Sequence, residues 1–90
     1  MKAVIIGLGH GSRVLINAFR LSNIEVYGIA SKNNRKAEKI IKEKNIKIAF
    51  RNWKSLIKDK KINIVAIAVP AVFQIGMLKE CIKENKIILV

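Results

Sequence analysis

Five short apolar runs alternate with four amphipathic stretches along the chain, and few folds accommodate that alternation. Continuous runs rich in β-branched residues are typical of strands buried on both faces. The intervening stretches carry apolar residues at helical spacing. We therefore predict five strands, at Lys2 to Ile6, Ile24 to Ala30, Ile46 to Phe50, Ile62 to Val69 and Lys86 to Val90.

Strand–helix alternation at this spacing predicts an α/β fold with a parallel sheet between two layers of helices. Right-handed crossovers around the first strand predict the strand order 3-2-1-4-5 of a Rossmann-like fold. A chain of 90 residues is one domain at most. Residues 1–90 are therefore interpreted as a single three-layer domain.

The apolar positions also predict the side of each helix that faces the sheet. Asn33 or Asn34 is the predicted cap of the second helix. From the first helix to the fourth, the predicted inner residues are Val14, Leu15, Ala18 and Phe19; Ala37, Ile40 and Ile41; Trp53, Leu56 and Ile57; and Ile75, Leu78 and Ile82.

Composition excludes several classes of protein. Cys81 is the only cysteine and His10 the only histidine, which argues against an internal disulfide or a structural zinc site. Cys81 is interpreted as a small core residue. The longest apolar stretch, Ile64 to Val69, is far too short to span a membrane, and the amino terminus lacks a secretory signal. A cytoplasmic protein without metal is expected.

The formal net charge of +12 raises the hypothesis of a nucleic-acid partner. No recognisable reading helix accompanies it, however, and aromatic residues are only 6% of the chain. The lysine-rich stretch from Lys32 to Lys47 lies mainly on the polar side of an amphipathic helix, which is typical of a solvated face. No specific nucleic-acid partner is expected.

A glycine-rich turn, Gly7-Leu8-Gly9-His10-Gly11-Ser12, lies between the first strand and the first helix. Dinucleotide-binding folds hold their pyrophosphate there. Gly7 would allow the tight turn, and Gly9 would let phosphate oxygens approach the backbone. Ser12 stands where the fingerprint has Gly or Ala, and Gly11 supplies flexibility one residue earlier. His10 either lies near the cofactor or is an ordinary loop histidine.

The second strand ends without the acidic residue that accepts from the adenosine ribose in NAD-selective folds. Ser31 stands there instead, followed by Lys32 and Arg35. A carboxylate would repel a 2′-phosphate, whereas a hydroxyl can hydrogen-bond it and cations can pair with it. The pattern favours NADP over NAD as the cofactor, although NAD is not excluded.

The chain resembles the amino-terminal domain of the Gfo/Idh/MocA oxidoreductases, the glucose–fructose oxidoreductase and inositol dehydrogenase family. The resemblance runs the whole length of the chain. It is carried by Ala3 to Gly9, by Gly28 to Lys32 with Lys36 to Glu38, by Asn52 to Ile57 and by Ile64 to Pro70.

The resemblance implies a role for each site residue. Gly7, Gly9 and His10 to Ser12 would surround the pyrophosphate, and Ser31, Lys32 and Arg35 would meet the adenosine end. Ala68, Val69 and Pro70 would border the nicotinamide side. Members often have Asn or His soon after the proline, whereas Val72 and Phe73 here are compatible with simple packing.

In this family a Glu-Lys-Pro motif with a catalytic lysine follows the fifth strand, and a substrate domain follows the motif. The resemblance therefore implies a truncated form that binds the cofactor and contains no catalytic residue. The longer form would transfer hydride to or from a sugar, cyclitol or related small-molecule substrate.

Two further expectations come from the residues. A stand-alone nucleotide-sensing domain, similar to those of potassium transport proteins, is the alternative function, although such domains usually keep the second-strand acid. A domain this small is expected to be marginally stable or to self-associate through the exposed strand at Lys86 to Val90.

Overall fold

A computed structural model describes residues 1–8, 12–32, 34–46, 49–50 and 52–90. Within these residues the predicted alternation of strands and helices is confirmed. The elements are β1 (Lys2–Ile6), α1 (Ser12–Leu21), β2 (Glu25–Ala30), α2 (Asn34–Lys44), β3 (Ala49–Phe50), α3 (Trp53–Lys58), β4 (Ile64–Ile67), α4 (Ala71–Lys83) and β5 (Ile87–Leu89).

The sheet is parallel and its strand order is β3-β2-β1-β4-β5, as the sequence predicts. β1 lies at its centre, and its side chains alternate between the two faces. Ala3 and Ile5 join a core with α1 and α2, whereas Val4 and Ile6 join a second core with α3 and α4. This double burial explains why the run from Lys2 to Ile6 is continuously apolar.

The predicted inner faces of the second and third helices are confirmed. Ala37 and Ile40 are buried in α2, and Leu56 and Ile57 are buried in α3. Lys36, Lys39 and Lys42 are exposed on the other side of that helix, in agreement with a face that is mainly solvated. Asn33 lies outside the described residues, as does the side chain of Asn34, so the predicted cap stays a prediction.

The predicted inner face of the first helix is partly wrong. Val14 is 70% exposed and Ala18 is also exposed, whereas Ile16 and Phe19 are buried. Ser12, the first residue of α1, is buried as well. The true face therefore runs through positions 12, 16 and 19, and the prediction was rotated because it included Val14 and Ala18, which lie outside that face.

The predicted inner face of the fourth helix is also partly wrong, since Leu78 is the only one of its three predicted residues that packs against a core. Ile75 and Ile82 are 65% and 66% exposed, whereas Met77 and Cys81 are buried. Apolar residues surround most of α4, so their spacing alone does not single out the buried side. The core position of Cys81 confirms its interpretation, and burial raises the pKa of its thiol.

Three helices, α1, α2 and α4, are each followed within two residues by an asparagine in the left-handed region. Asn23, Asn45 and Asn85 have φ values of 59°, 55° and 58°. The next residue in each case donates its N–H to the carbonyl five residues earlier, as in a Schellman motif. These bonds join Ile24 to Phe19, Ile46 to Ile41 and Lys86 to Cys81, at 2.8, 3.0 and 3.0 Å.

Substitution at Asn23 measures the cost of this conformation. Asn23→Ala is expected to lower the free energy of unfolding by about 1 kcal/mol, because a Cβ without a local polar group disfavours positive φ. Asn23→Gly is expected to leave it unchanged or raise it slightly. Urea unfolding followed by circular dichroism measures both. Equal stability of the two variants would contradict the argument.

β5 forms one edge of the described sheet, and its apolar side chains are only partly covered. Ile87 is 50% exposed and Leu89 is 42% exposed. The unpaired backbone groups of an edge strand can pair with another chain. Self-association through this edge stays a prediction. Sedimentation velocity should show an oligomer that weakens in Leu89→Lys; a monomer at every concentration would contradict it.

None of the described helices offers a stretch long and apolar enough to cross a membrane. The longest of them, α4, has 13 residues. Among the described residues, no group of His, Cys, Asp and Glu side chains could hold a metal ion.

Candidate functional site

A cavity of about 360 Å³ opens where β1, β2 and β4 end. Ligands of open parallel sheets bind at this edge, beside the point where the strand order reverses. Here the order reverses at β1, since β2 lies on one side of it and β4 on the other. The cavity is lined by Ile6, Gly7, Ala30, Ser31, Lys32, Trp53, Val69, Pro70, Phe73 and Met77.

The floor of the cavity is apolar and belongs to the core on the α3 and α4 side. Ile6 and Ala30 are the last residues of β1 and β2, and Met77 rises from α4. Trp53, the first residue of α3, is half-buried beside them. The apolar interior suits an aromatic ring of a ligand more than a charged group.

The charged part of the cavity is at the end of β2. Among the described residues that line the cavity, Lys32 is the only ionisable one, and none of them carries a carboxylate that could neutralise it. Its ammonium lies 5.4 Å from the centroid of the Phe73 ring on the opposite wall. A ligand with an aromatic ring and a nearby anionic group would match this arrangement of apolar floor and basic rim.

Gly7 connects β1 to the glycine-rich turn and approaches the end of β4 very closely. Its φ is +92°, and a Cβ built on it would lie 2.6 Å from the Ala68 carbonyl oxygen and 2.7 Å from Cγ1 of Val69. Its N–H donates to the Ala30 carbonyl at 2.7 Å. The backbone path at this point therefore requires glycine.

The turn after β4 is held by its own hydrogen bonds. The Phe73 N–H donates to the Pro70 carbonyl at 3.0 Å. The side-chain amide of Gln74 donates to the Val69 carbonyl, also at 3.0 Å. Val69, Pro70 and Phe73 therefore present a fixed wall to the cavity.

The structure brings five of the predicted site residues together around the cavity, namely Gly7, Ser31, Lys32, Val69 and Pro70. Gly9, His10 and Gly11 lie outside the described residues. The other three do not line the cavity. Ala68 faces Gly7, Arg35 is exposed on α2, and Ser12 is 2% exposed at the start of α1.

The burial of Ser12 bears on its expected role. A small side chain at this place lets the helix pack closely on the sheet, which is the reason the fingerprint has Gly or Ala there. The side chain is enclosed in the same way here. Packing therefore explains the residue better than donation to a phosphate does.

Sequence reasoning missed five of the lining residues, Ile6, Ala30, Trp53, Phe73 and Met77. The interpretation of Val72 and Phe73 as packing residues is wrong, because they are 79% and 55% exposed. A usable signal existed for two of the five. Trp53 comes three residues after the predicted third strand and Phe73 four residues after the predicted fourth strand, at the edge where the strands end.

The comparisons with known proteins agree with this geometry. The sequence model of GFO_IDH_MocA, an oxidoreductase family with an NAD-binding Rossmann fold, matches residues 1–90. The chain belongs to the Gfo/Idh/MocA family. The cofactor of this Gfo/Idh/MocA domain is therefore a nicotinamide dinucleotide. No curated protein sequence matches the chain.

Solved structures share the fold of this Gfo/Idh/MocA domain at low sequence identity. A probable dehydrogenase from Thermotoga maritima has a TM-score of 0.90 and is 16% identical, covering 98% of this chain and 27% of its own. Myo-inositol dehydrogenase from Lactobacillus casei, in complex with NAD(H) and myo-inositol, has a TM-score of 0.85 and is 22% identical in sequence. That match covers 98% of this chain and 27% of the dehydrogenase.

Biliverdin reductase from Synechocystis sp. PCC 6803, in complex with biliverdin and NADP+, has a TM-score of 0.88 and is 17% identical. The match covers 97% of this chain and 28% of the reductase. The chain thus spans just over a quarter of the length of the solved structures that it matches. At these identities the likeness establishes the fold.

Proposed function

We propose that the 90 residues form the cofactor domain of an oxidoreductase and bind NADP in preference to NAD. The observation that carries the proposal is the end of β2, where Ser31 and Lys32 line the cavity and none of the described lining residues carries a carboxylate. The 2′-phosphate is a dianion, so a hydroxyl and an ammonium favour it and a carboxylate would repel it.

The lining residues fit the parts of a dinucleotide. The apolar floor accommodates the adenine ring, and the rim at Lys32 accommodates the phosphate on its ribose. The pyrophosphate would cross the turn after Gly7, where α1 begins, because the amino terminus of a helix offers N–H groups and the positive end of its dipole to an anion. Val69 and Pro70 would border the nicotinamide end. Arg35, the second residue of α2, would add long-range attraction for the phosphates.

The whole protein, in this proposal, transfers hydride between the nicotinamide and a sugar, cyclitol or related metabolite. The myo-inositol dehydrogenase with the same fold supports this class of substrate. A levoglucosan dehydrogenase in complex with NADH and L-sorbose, which is 20% identical, supports it as well. When bound, the nicotinamide accepts or supplies the hydride.

The 90 residues themselves would bind and orient the cofactor without turning over substrate. Lys32 is the only ionisable group among the described residues that line the cavity, and the proposal assigns it to a phosphate. No general acid or base is therefore proposed within them. Substrate-dependent formation of NADPH by this chain alone would contradict that part of the proposal.

Calorimetric titration of the chain with NADP, with NAD and with duplex DNA, each at two salt concentrations, tests the proposal. We expect micromolar binding of NADP and weaker binding of NAD. DNA binding should be weak and lost at the higher salt, because an unspecific basic surface depends on counterion release. Tighter binding of NAD, or DNA binding that survives salt, would overturn the proposal.

A further inference from the structure

One side of α4 carries a line of apolar residues that the sheet does not cover. Ala71, Ile75, Leu78 and Ile82 follow one another at intervals of four, three and four residues, which places them in one line along the helix. Ile75 and Ile82 are mostly exposed, and Leu78 is half-buried against the core. These four residues are called the α4 stripe below.

The α4 stripe faces the open edge of the sheet rather than the cavity. Phe73 and Met77 lie on the opposite flank of α4 and line the cavity together with Trp53 of α3. The stripe therefore points away from α3 and toward β5. Leu78 of the stripe and Ile88 of β5 pack against the same core, so the two elements form one continuous edge of the domain.

The backbone of β5 can pair with a further strand at this edge. The Ile87 N–H donates to the Asn63 carbonyl at 2.9 Å, so the backbone groups of Ile87 face β4. Successive residues of a strand direct these groups to opposite sides. The N–H and carbonyl of Ile88 therefore point outward from the described sheet.

We propose that this edge binds a second copy of the chain through a twofold axis that runs perpendicular to the sheet beside Ile88. The axis sets β5 antiparallel to β5 of the copy, and the two Ile88 residues exchange both of their N–H···O bonds. It also lays the two α4 helices antiparallel and side by side. Intervals of four, three and four are the same in both directions, so Ala71 of one stripe meets Ile82 of the other.

The apolar area at this edge matches what a small stable dimer needs. Between 42% and 66% of the surface is exposed at each of four residues, Ile75, Ile82, Ile87 and Leu89. Together they offer about 400 Å² per copy, and a small stable interface takes about 600 Å² from each partner, about 65% of it apolar. Ile87 lies opposite Leu89 of the copy, on the face of the sheet away from α4.

Net charge gives this dimer a distinctive dependence on salt. Each copy carries a formal charge of +12, so two copies repel one another. Salt screens this repulsion and leaves the apolar contacts in place. The dimer therefore tightens as the salt concentration rises, whereas two copies bridged by a nucleic acid would separate.

The dimer leaves both cavities accessible. The twofold axis reverses the direction of the strands, so the two cavities lie at opposite ends of one continuous sheet. Phe73 and Met77, which line the cavity, are on the flank of α4 that faces away from the axis. The inference is therefore independent of the proposed function.

Sedimentation velocity over a range of protein concentrations, at low and at high salt, tests the inference by measuring the dissociation constant of the dimer. Ile75→Gln is the test variant. Leu21→Gln is the matched control, because Leu21 is 87% exposed on α1, which packs against β2 and is distant from β5 in the strand order. Both variants replace an exposed aliphatic side chain of a helix by the same neutral amide.

Ile75→Gln should raise the dissociation constant by at least about tenfold, because a substitution in a symmetric dimer acts twice. Leu21→Gln should leave it within about twofold of the unchanged chain. Urea unfolding at a concentration where monomers dominate should show equal stability for both variants, since both positions are exposed.

Three results would overturn the inference. The first is a monomer at every concentration and at both salts. The second is an equal dissociation constant for Ile75→Gln and the unchanged chain, because the association would then use the β5 edge without α4. The third is a dimer that weakens as salt rises, which would point to nucleic acid as the link between the copies.

Discussion

Replacing Gly7 by alanine is expected to lower the free energy of unfolding by about 2–4 kcal/mol and to abolish measurable NADP binding. The new Cβ would be 2.6 Å from the Ala68 carbonyl oxygen, at a φ of +92° that disfavours any L side chain. Neither partner can retreat easily. The Ala68 N–H is bonded to the Ile6 carbonyl at 2.7 Å, and the Gly7 N–H is bonded to Ala30.

The same substitution at Gly76 is the matched control. Gly76 lies inside α4, and a Cβ built on it meets nothing within 4 Å. Gly76→Ala should therefore raise the free energy of unfolding by up to about 1 kcal/mol through helix propensity. Urea unfolding followed by circular dichroism measures both variants. A Gly7→Ala protein as stable as the unchanged chain would refute the description of the close approach between β1 and β4.

Replacing Ser31 by aspartate is expected to reverse the cofactor preference and to shift the ratio of the NADP and NAD dissociation constants by about 100-fold. Ser31 lines the cavity at the end of β2. A carboxylate there would repel the 2′-phosphate of NADP. It would instead accept hydrogen bonds from the free ribose hydroxyls of NAD.

Ser22→Asp controls for the change in net charge. Ser22 is exposed in the turn between α1 and β2, at the opposite end of the strands. Ser22→Asp makes the same chemical change far from the cavity. The ratio of the NADP and NAD dissociation constants should therefore change by less than about twofold at physiological salt. Calorimetric titration with both cofactors provides the four constants. A similar shift in the two variants would attribute the preference to overall charge rather than to the site.

Much of the fold could be predicted from the sequence because the central strands β1, β2 and β4 are largely buried on both faces. The runs at Lys2 to Ile6 and at Ile64 to Val69 permit few alternatives, and the right-handed crossover rule then orders the strands. The face of each helix that packs on the sheet was harder to predict from the sequence. In α4 the apolar residues include Ile75 and Ile82 on the exposed side, so periodicity did not identify the face with Met77 and Cys81.

The candidate site could be predicted only where residue type alone carries the signal. The glycine at position 7 and the missing acid at Ser31 are features of the sequence itself. The apolar part of the cavity depends instead on how separate elements converge. Trp53 and Phe73 are far apart in the chain, and only the packing of α3 and α4 on the sheet places both at one cavity.

The position of Trp53 gives the domain an intrinsic optical reporter. It is the only tryptophan in the chain, and it lies at the wall of the cavity rather than in a remote part of the molecule. Reduced nicotinamide absorbs light in the range where indole emits, so a reduced cofactor bound in the cavity is expected to quench this fluorescence by energy transfer. The fraction of protein with an occupied cavity can therefore be measured without a label, and the measurement can be repeated for each variant of a lining residue.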